Sequence, residues 1–555
     1  MTCTEGDALA AGHAALREGR AEEARAIFAQ AVSACGSAQA HEGLSWAALA
    51  LDDAEATITA RQTAYRLYRD AGAPVAAARM AMWLAKDHDD FRGAAALANG
   101  WLARARRLLA DQPVAPEHGW LEVLACWGTT AHERNPQEVA DGARRAIAVA
   151  QRCGDRDLEL LGIAFEGLAR VDTGRIAAGM AQLDETAAAV SAGELDEPLW
   201  ALVIFCNLIA ACERARDFAR AAEWCRTMRA QADRMRHTGS QAICRAHYGV
   251  VLTHCGDWAG AEDALAEAVR CYEASWPPYR AQVLADLAEL RRRQGRLGAA
   301  GKLLDAAAGA PREPLVRGRC ALDLGDGAAA RDCAERYLRR FPETCALHRV
   351  EGLELLIHAS VAAGAPGRGE AALAELEARA RDVATPPLAA MANAAGATLA
   401  AAHGRTARAR AGFEDAVDGY SRAGMVYDAA AARIALAELL TGLDRADAAR
   451  AEASGARRAL EAMGAEHLAR RAAALEARLA RPRRAPASRP GPPALTARQV
   501  EVVGHVAAGL TNREIAAELA LSEKTIDRHL SNAFDRLGVG SRAAAVAAAL
   551  AQGLI

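Results

Sequence analysis

The sequence predicts an all-α chain: a long solenoid of helical hairpins, a Pro/Arg-rich linker, and a four-helix unit of helix-turn-helix type at the C-terminal end. Three observations lead there. The chain is 52% hydrophobic but only 5% aromatic, so its apolar material is mostly Ala, Leu and Val, a strongly helix-forming mixture. Helix-ending turn positions, most of them glycines, recur at a near-regular interval between residues 174 and 444. From Arg481 to Pro493 the sequence reads RPRRAPASRPGPP, five prolines and four arginines in thirteen residues, which no helix interior tolerates.

Residues 1–480 form the expected solenoid. Gly19 is followed five, nine and twelve positions later by Ala24, Phe28 and Ala31; Gly256 by Ala261, Leu265 and Ala268; Gly295 by Ala300, Leu304 and Ala307; Gly404 by Ala409, Phe413 and Ala416. Weaker copies begin at Gly174, Gly325 and Gly364. With Arg216 and Asp444 accepted in the glycine position, the starts from 174 to 444 fall mostly 39 to 42 residues apart. A glycine closes one helix in the left-handed conformation, and offsets of four and three place the next residues on one face of the following helix. The stretch Gly256 Asp257 Trp258 Ala259 Gly260 Ala261 resembles the tetratricopeptide turn and second helix, although that repeat is shorter, at about 34 residues. The alternative is an irregular Ala-rich helical domain without true repeats. Either way the result is a stacked array whose concave side suits a peptide, a protein partner or a small effector.

Charge and cysteine usage narrow the classes. A formal net charge of -3 excludes a globally basic, DNA-coating chain, so any nucleic-acid contact has to come from a local face. Lysine occurs only at Lys86, Lys302 and Lys524; the arginine excess reflects a GC-rich coding sequence, and a lone arginine carries little functional information. The 13 cysteines include no C-x-x-C pair and no Cys/His cluster at zinc spacing, and read as buried thiols of a reducing compartment. No metal and no cofactor is expected. The N-terminus lacks a basic stretch followed by an apolar one, so a cytoplasmic chain is expected. The most apolar window, Leu199 to Cys212, is too short to span a bilayer.

After the linker at 481–494, residues 495–555 carry the markers of four helices. Thr496 with Gln499, and Thr511 with Glu514, each fit a reciprocal capping box, while Ser522 and Ser541 suit N-caps. Gly509 and Gly538 stand where helices stop. The second and third helices are therefore expected at Asn512 to Ala520 and Glu523 to Leu537, joined by a Leu521 Ser522 turn, which is helix-turn-helix spacing. Ile515, Ala516, Leu519, Leu521, Ile526, Leu530, Phe534 and Leu537 supply the packing. Lys524, Asp527, Arg528, Ser531 and Asp535 are left facing outward, either as a face for a major groove about 12 Å wide or as a merely solvated helix surface.

The segment LTARQVEVVGHVAAGLTNREIAAELALSEKTIDRHLSNAFDRLGVGSRAAAVAAAL is similar throughout to the LuxR-type DNA-binding domain. Leu495 Thr496, Gly509 Leu510 Thr511 Asn512, Glu514 Ile515 Ala516, Leu519, Ser522, Thr525 Ile526, His529, Leu537 Gly538 Val539, Arg542 and Ala545 Val546 fall where that signature places such residues. The resemblance covers about 60 residues of 555. It implies a recognition helix from about Glu523 to Leu537 in the major groove of double-stranded DNA, with the preceding helix across the phosphates. The implied DNA-facing residues are Thr511, Asn512, Lys524, Thr525, Asp527, Arg528, Ser531 and Asn532; His529 reads as packing and orienting. Asp527 departs from the lysine common there, because a carboxylate repels phosphate and can only accept from a base. Between Leu495 and Ile555 six Lys or Arg face six Asp or Glu, which favours a homodimer on paired half-sites, with the linker arginines as possible phosphate contacts or simply a solvated tether.

Competing chemistries fail on spacing. Gly295 to Lys302, GRLGAAGK, has five residues between its outer glycines and Leu303 where a phosphate loop needs Ser or Thr. No alternating strand and helix pattern of a receiver domain precedes the linker. The expectation is a non-enzymatic, sequence-specific transcription regulator whose repeats sense a protein partner or effector. The alternative is a tetratricopeptide-like interaction scaffold with weak or vestigial DNA binding.

Overall fold

The computed structural model describes residues 5–127, 135–197, 199–235, 238–480, 495–539 and 541–555. Among the described residues there are 29 α-helices and no strand. The chain divides into two compact units, Met1–Ala480 and Arg481–Ile555. The linker expected at 481–494 lies outside the described residues.

The first unit holds helices α1 (Glu5–Arg17) to α25 (Glu466–Ala480), packed as successive antiparallel hairpins in a tetratricopeptide-like solenoid. All eight starts read from the sequence, Gly174 to Asp444, have positive φ, including Arg216 at 58° and Asp444 at 57°. The residues that follow are buried as the periodicity requires: Ala261, Leu265 and Ala268 after Gly256, and Ala221, Cys225 and Met228 after Arg216, are each 0% exposed. The one short interval, from Gly295 to Gly325, arises because Leu297–Ala306 and Glu313–Asp323 are helices of only 10 and 11 residues.

Two hairpins with the same turn and burial pattern are among those that the sequence reading did not name. One turns at Gly93 and buries Ala98, Leu102 and Ala105. The other turns at Asp52, with φ 57°, and places Thr57, Arg61 and Ala64 at the three core positions, all fully buried. A search for apolar residues passes over Thr57 and Arg61. Buried arginine is stable there only because it is paired: its guanidinium bonds Asp87 and lies against both Trp46 and Trp83, 4.8 and 5.2 Å from their ring centres.

The stack folds back on itself. Ser275 donates to Asp52 at 2.5 Å and the Tyr279 hydroxyl to Asp90 at 2.8 Å, joining hairpins about 200 residues apart. Farther along, Arg293 lies 3.5 Å from Asp428. The phosphate-loop lookalike Gly295–Lys302 is the turn and first part of α16 (Leu297–Ala306). Gly295 is required twice over, by φ 81° and by a would-be Cβ 2.8 Å from that of His467. Among the described residues no helix is long and apolar enough to cross a membrane.

Candidate nucleic-acid interface

The second unit has its own core, built from Leu495, Val502, Val503, Val506, Ile515, Ala516, Ile526, Leu530, Ala533 and Ala549. Around it pack α26 (Ala497–Ala507), α27 (Asn512–Glu518), α28 (Glu523–Leu537) and α29 (Arg542–Ala551). Every expected cap is in place. Thr496 accepts from the Gln499 amide while the Gln499 side chain accepts from the Thr496 amide at 3.0 Å. Thr511 and Glu514 repeat the arrangement, with the Thr511 amide donating to Glu514 at 2.7 Å. Ser522 and Ser541 accept from the amides of Thr525 and Ala544 at 3.1 and 3.2 Å. Gly509 and Gly538 close their helices with φ of 88° and 67°.

One boundary differs from the sequence reading. The second helix was expected to reach Ala520, but α27 stops at Glu518, with Leu519 at its cap and Ala520 left-handed at φ 52°. An alanine performs a glycine's task there. The Leu521 amide reaches back to the Ala516 carbonyl at 2.9 Å, and this bond, closing a left-handed helix end, sets the turn between the two helices.

On α28 the inward stripe is Ile526, Leu530 and Ala533, at offsets of four and three. Lys524, Asp527, Arg528, Ser531 and Asn532 are exposed on the other side, as is Thr511 at the start of α27. These are six of the eight residues implied by the LuxR resemblance. The other two are half-buried and engaged within the unit. The Thr525 hydroxyl lies 2.7 Å from that of Ser522, inside the cap. Asn512 donates to Asp527 and accepts from Arg542, whose second nitrogen bonds the Leu510 carbonyl. Asp527, the departure from the signature, thus meets an amide of its own domain, and Arg542 clamps the start of α27 from α29.

The remaining cations are distributed unevenly. Arg498 bonds Glu501 and the Leu519 carbonyl, at 2.6 and 3.1 Å, and Arg536 donates to Gln499 at 2.9 Å. Arg513 is exposed in the first turn of α27, a position the sequence reading passed over. His529 is half-buried, and its pKa is lowered by burial and then by Arg498 and Arg528, which keeps the ring neutral at neutral pH.

Residues 493–549 match the model for the luxR family of bacterial regulatory proteins. Spore germination protein GerE of Bacillus subtilis is 46% identical over 61 residues, 11% of this chain and 82% of GerE. The probable transcriptional regulatory protein SgaR of Hyphomicrobium methylovorum is 49% identical over 53 residues, 10% of this chain and 25% of SgaR. The probable transcriptional regulatory protein NarL of Mycobacterium tuberculosis is 42% identical over 66 residues, 12% of this chain and 31% of NarL. The chain therefore spans a quarter to a third of the length of SgaR and NarL. Among solved structures it is similar to yeast Tom70, with a TM-score of 0.30 and 11% identity over 78% of this chain and 95% of that one. Through its C-terminal unit, with all four helix caps and the buried stripe of α28 in place, the chain belongs to the LuxR family of bacterial regulatory proteins.

Proposed function

We propose that this chain is a sequence-specific, DNA-binding transcription regulator in which α28 enters the major groove of double-stranded DNA and the solenoid senses a protein partner or effector. The observation that carries the reading is the division of α28 into an apolar stripe held by its own domain and an opposite face of exposed polar side chains. A helix is about 10–12 Å across with its side chains, matching a groove about 12 Å wide.

Within that reading the roles separate. Arg528 and Asn532 have the chemistry to read guanine and adenine edges, and Lys524 and Ser531 can reach either base or phosphate. Thr511 and Arg513 meet the backbone across the groove. Asn512 and Asp527 brace α27 against α28, so their contribution to DNA binding is mainly one of orientation.

Balanced charge in the C-terminal unit limits the affinity of one copy, which favours two copies on paired half-sites. The same balance is what favours the second reading, a scaffold with weak DNA binding. Selection of duplexes from fragmented genomic DNA by the full chain, followed by mobility shift, decides between them. A shared motif that shifts at nanomolar to sub-micromolar protein and is lost in Arg528→Ala supports the regulator. Binding without sequence preference, abolished by moderate salt, rejects it.

A further inference from the structure

The solenoid holds a partly open cavity of about 1580 Å³, walled largely by the first helices of successive hairpins between α1 and α19 (Ala346–Ala362). Its composition is unlike that of the rest of the unit. The hairpins pack chiefly on alanine, yet close to half of the chain's aromatic rings, five of its nine tryptophans among them, line this one space.

Charge is also placed here against the repeat pattern. Arg61 occupies the middle core position of its hairpin, where the others carry an apolar residue such as Phe28, Leu265, Ala334 or Phe413. Burying that cation costs stability that an apolar residue would not. The deep wall then pairs its own charges: Arg61 with Asp87, Lys86 with Asp90, Arg214 with Asp172, Arg216 and Arg312 with Glu351, and His247 with Glu213. Arg61 and Lys86 also already cover tryptophan faces, Lys86 lying 4.2 Å from the centre of Trp127.

Resting on the reading of the solenoid as the sensing part, we infer that this cavity is an effector site for a neutral, ring-bearing small molecule. Aromatic walls bind ring faces and edges. Internally paired charges offer no compensation to a ligand with net charge, which would be desolvated without gain. Walls of aromatic rings and internally paired charges suit a ligand with few polar groups; a peptide backbone demands many more partners. The volume exceeds the roughly 300–1,000 Å³ of common ligand pockets and admits a polycyclic molecule.

The test uses the full chain and two neutral probes, Nile red followed by fluorescence and progesterone as its competitor. Saturable Nile red binding, displaced by progesterone and changed less than about twofold between low and high salt, is the expected result. Ala210→Trp and Ala246→Trp add a ring to the wall and should each weaken binding about tenfold or more with helicity unchanged. Should either variant misfold, hydrogen exchange on the unmodified chain still decides: progesterone should protect amides of Ala38–Ala50, Pro74–Arg92 and Leu199–Arg214. The inference is overturned if Nile red does not saturate, if the filled variants bind like the parent, if protection falls elsewhere, or if an end-blocked neutral hexapeptide displaces the dye better than progesterone. No DNA enters these measurements, so their failure leaves the DNA reading intact, and loss of the mobility shift leaves the cavity intact.

Discussion

The turn at Ala520 allows a sharp calculation. Its φ of 52° lies in the left-handed region and its methyl group is exposed, so substitution removes no buried contact. An L-residue other than glycine pays about 1–2 kcal/mol to hold that conformation. Glycine relieves this but adds about 0.4–1 kcal/mol of chain entropy to the unfolded state. Ala520→Gly should therefore stabilise the unit by about 0.5–1 kcal/mol. For a domain of about 60 residues, 1 kcal/mol moves the melting temperature by about 4–8 °C, so a rise of about 2–8 °C is expected. Residues 495–555 produced alone, with a core drawn entirely from themselves, can be melted by circular dichroism. Ala520→Val provides the opposite arm, because a β-branched side chain is a worse occupant of this region and should lower the midpoint. A melting point that falls in Ala520→Gly, or rises in Ala520→Val, would refute the left-handed turn that joins α27 to α28.

Further outcomes follow from other parts of the molecule. Arg528→Ala should weaken specific DNA binding by about 1–3 kcal/mol if the side chain reads a base, or reduce the salt slope by about one if it meets phosphate; an unchanged footprint and slope reject both. Asp527→Ala should lower domain stability by about 0.5–1.5 kcal/mol through loss of the Asn512 bond while leaving base preference at every position intact; a relaxed position in a binding-site selection would make Asp527 a base reader instead. A methyl group on Gly43 would enter the ring of the fully buried Phe28, so Gly43→Ala should destabilise the first hairpins by about 1–3 kcal/mol, and Phe28→Leu should restore part of that loss in a thermal melt. His254 is buried against Phe218 with its ring centre 4.1 Å away, and burial followed by Arg293, Arg216 and Arg312 lowers its pKa well below the ordinary value. The folded chain thus binds fewer protons at this site than the unfolded one, and the stability it confers is present above about pH 6.5 and lost as pH falls. Between about pH 7.5 and 5.5 the parent should lose about 1.4 kcal/mol relative to His254→Gln; parallel pH profiles of the two proteins would show that the ring is not held neutral.

What could be read in the linear chain was whatever depends on neighbours three to twelve residues apart. Capping boxes, N-cap serines and the five-nine-twelve burial pattern are of that kind, and they extend to the unlikely turn residues Arg216 and Asp444, whose flanking helices impose the left-handed conformation regardless of side chain. The stripe of Ile526, Leu530 and Ala533, and so the exposed face opposite it, follows from helical period alone. Tertiary structure decided where the local pattern is broken. Arg61 can stand in a core position only because Asp87, Trp46 and Trp83 arrive from other helices, and Asp527 is turned toward its own domain by Asn512 and Arg542. The aromatic cavity likewise assembles from residues as far apart as Trp46 and Glu351. The physical reason is common to all three: a backbone amide is satisfied by the next turn of chain, whereas a charged side chain held by its own domain, or a walled space, takes its partners from groups that the fold brings from a distance.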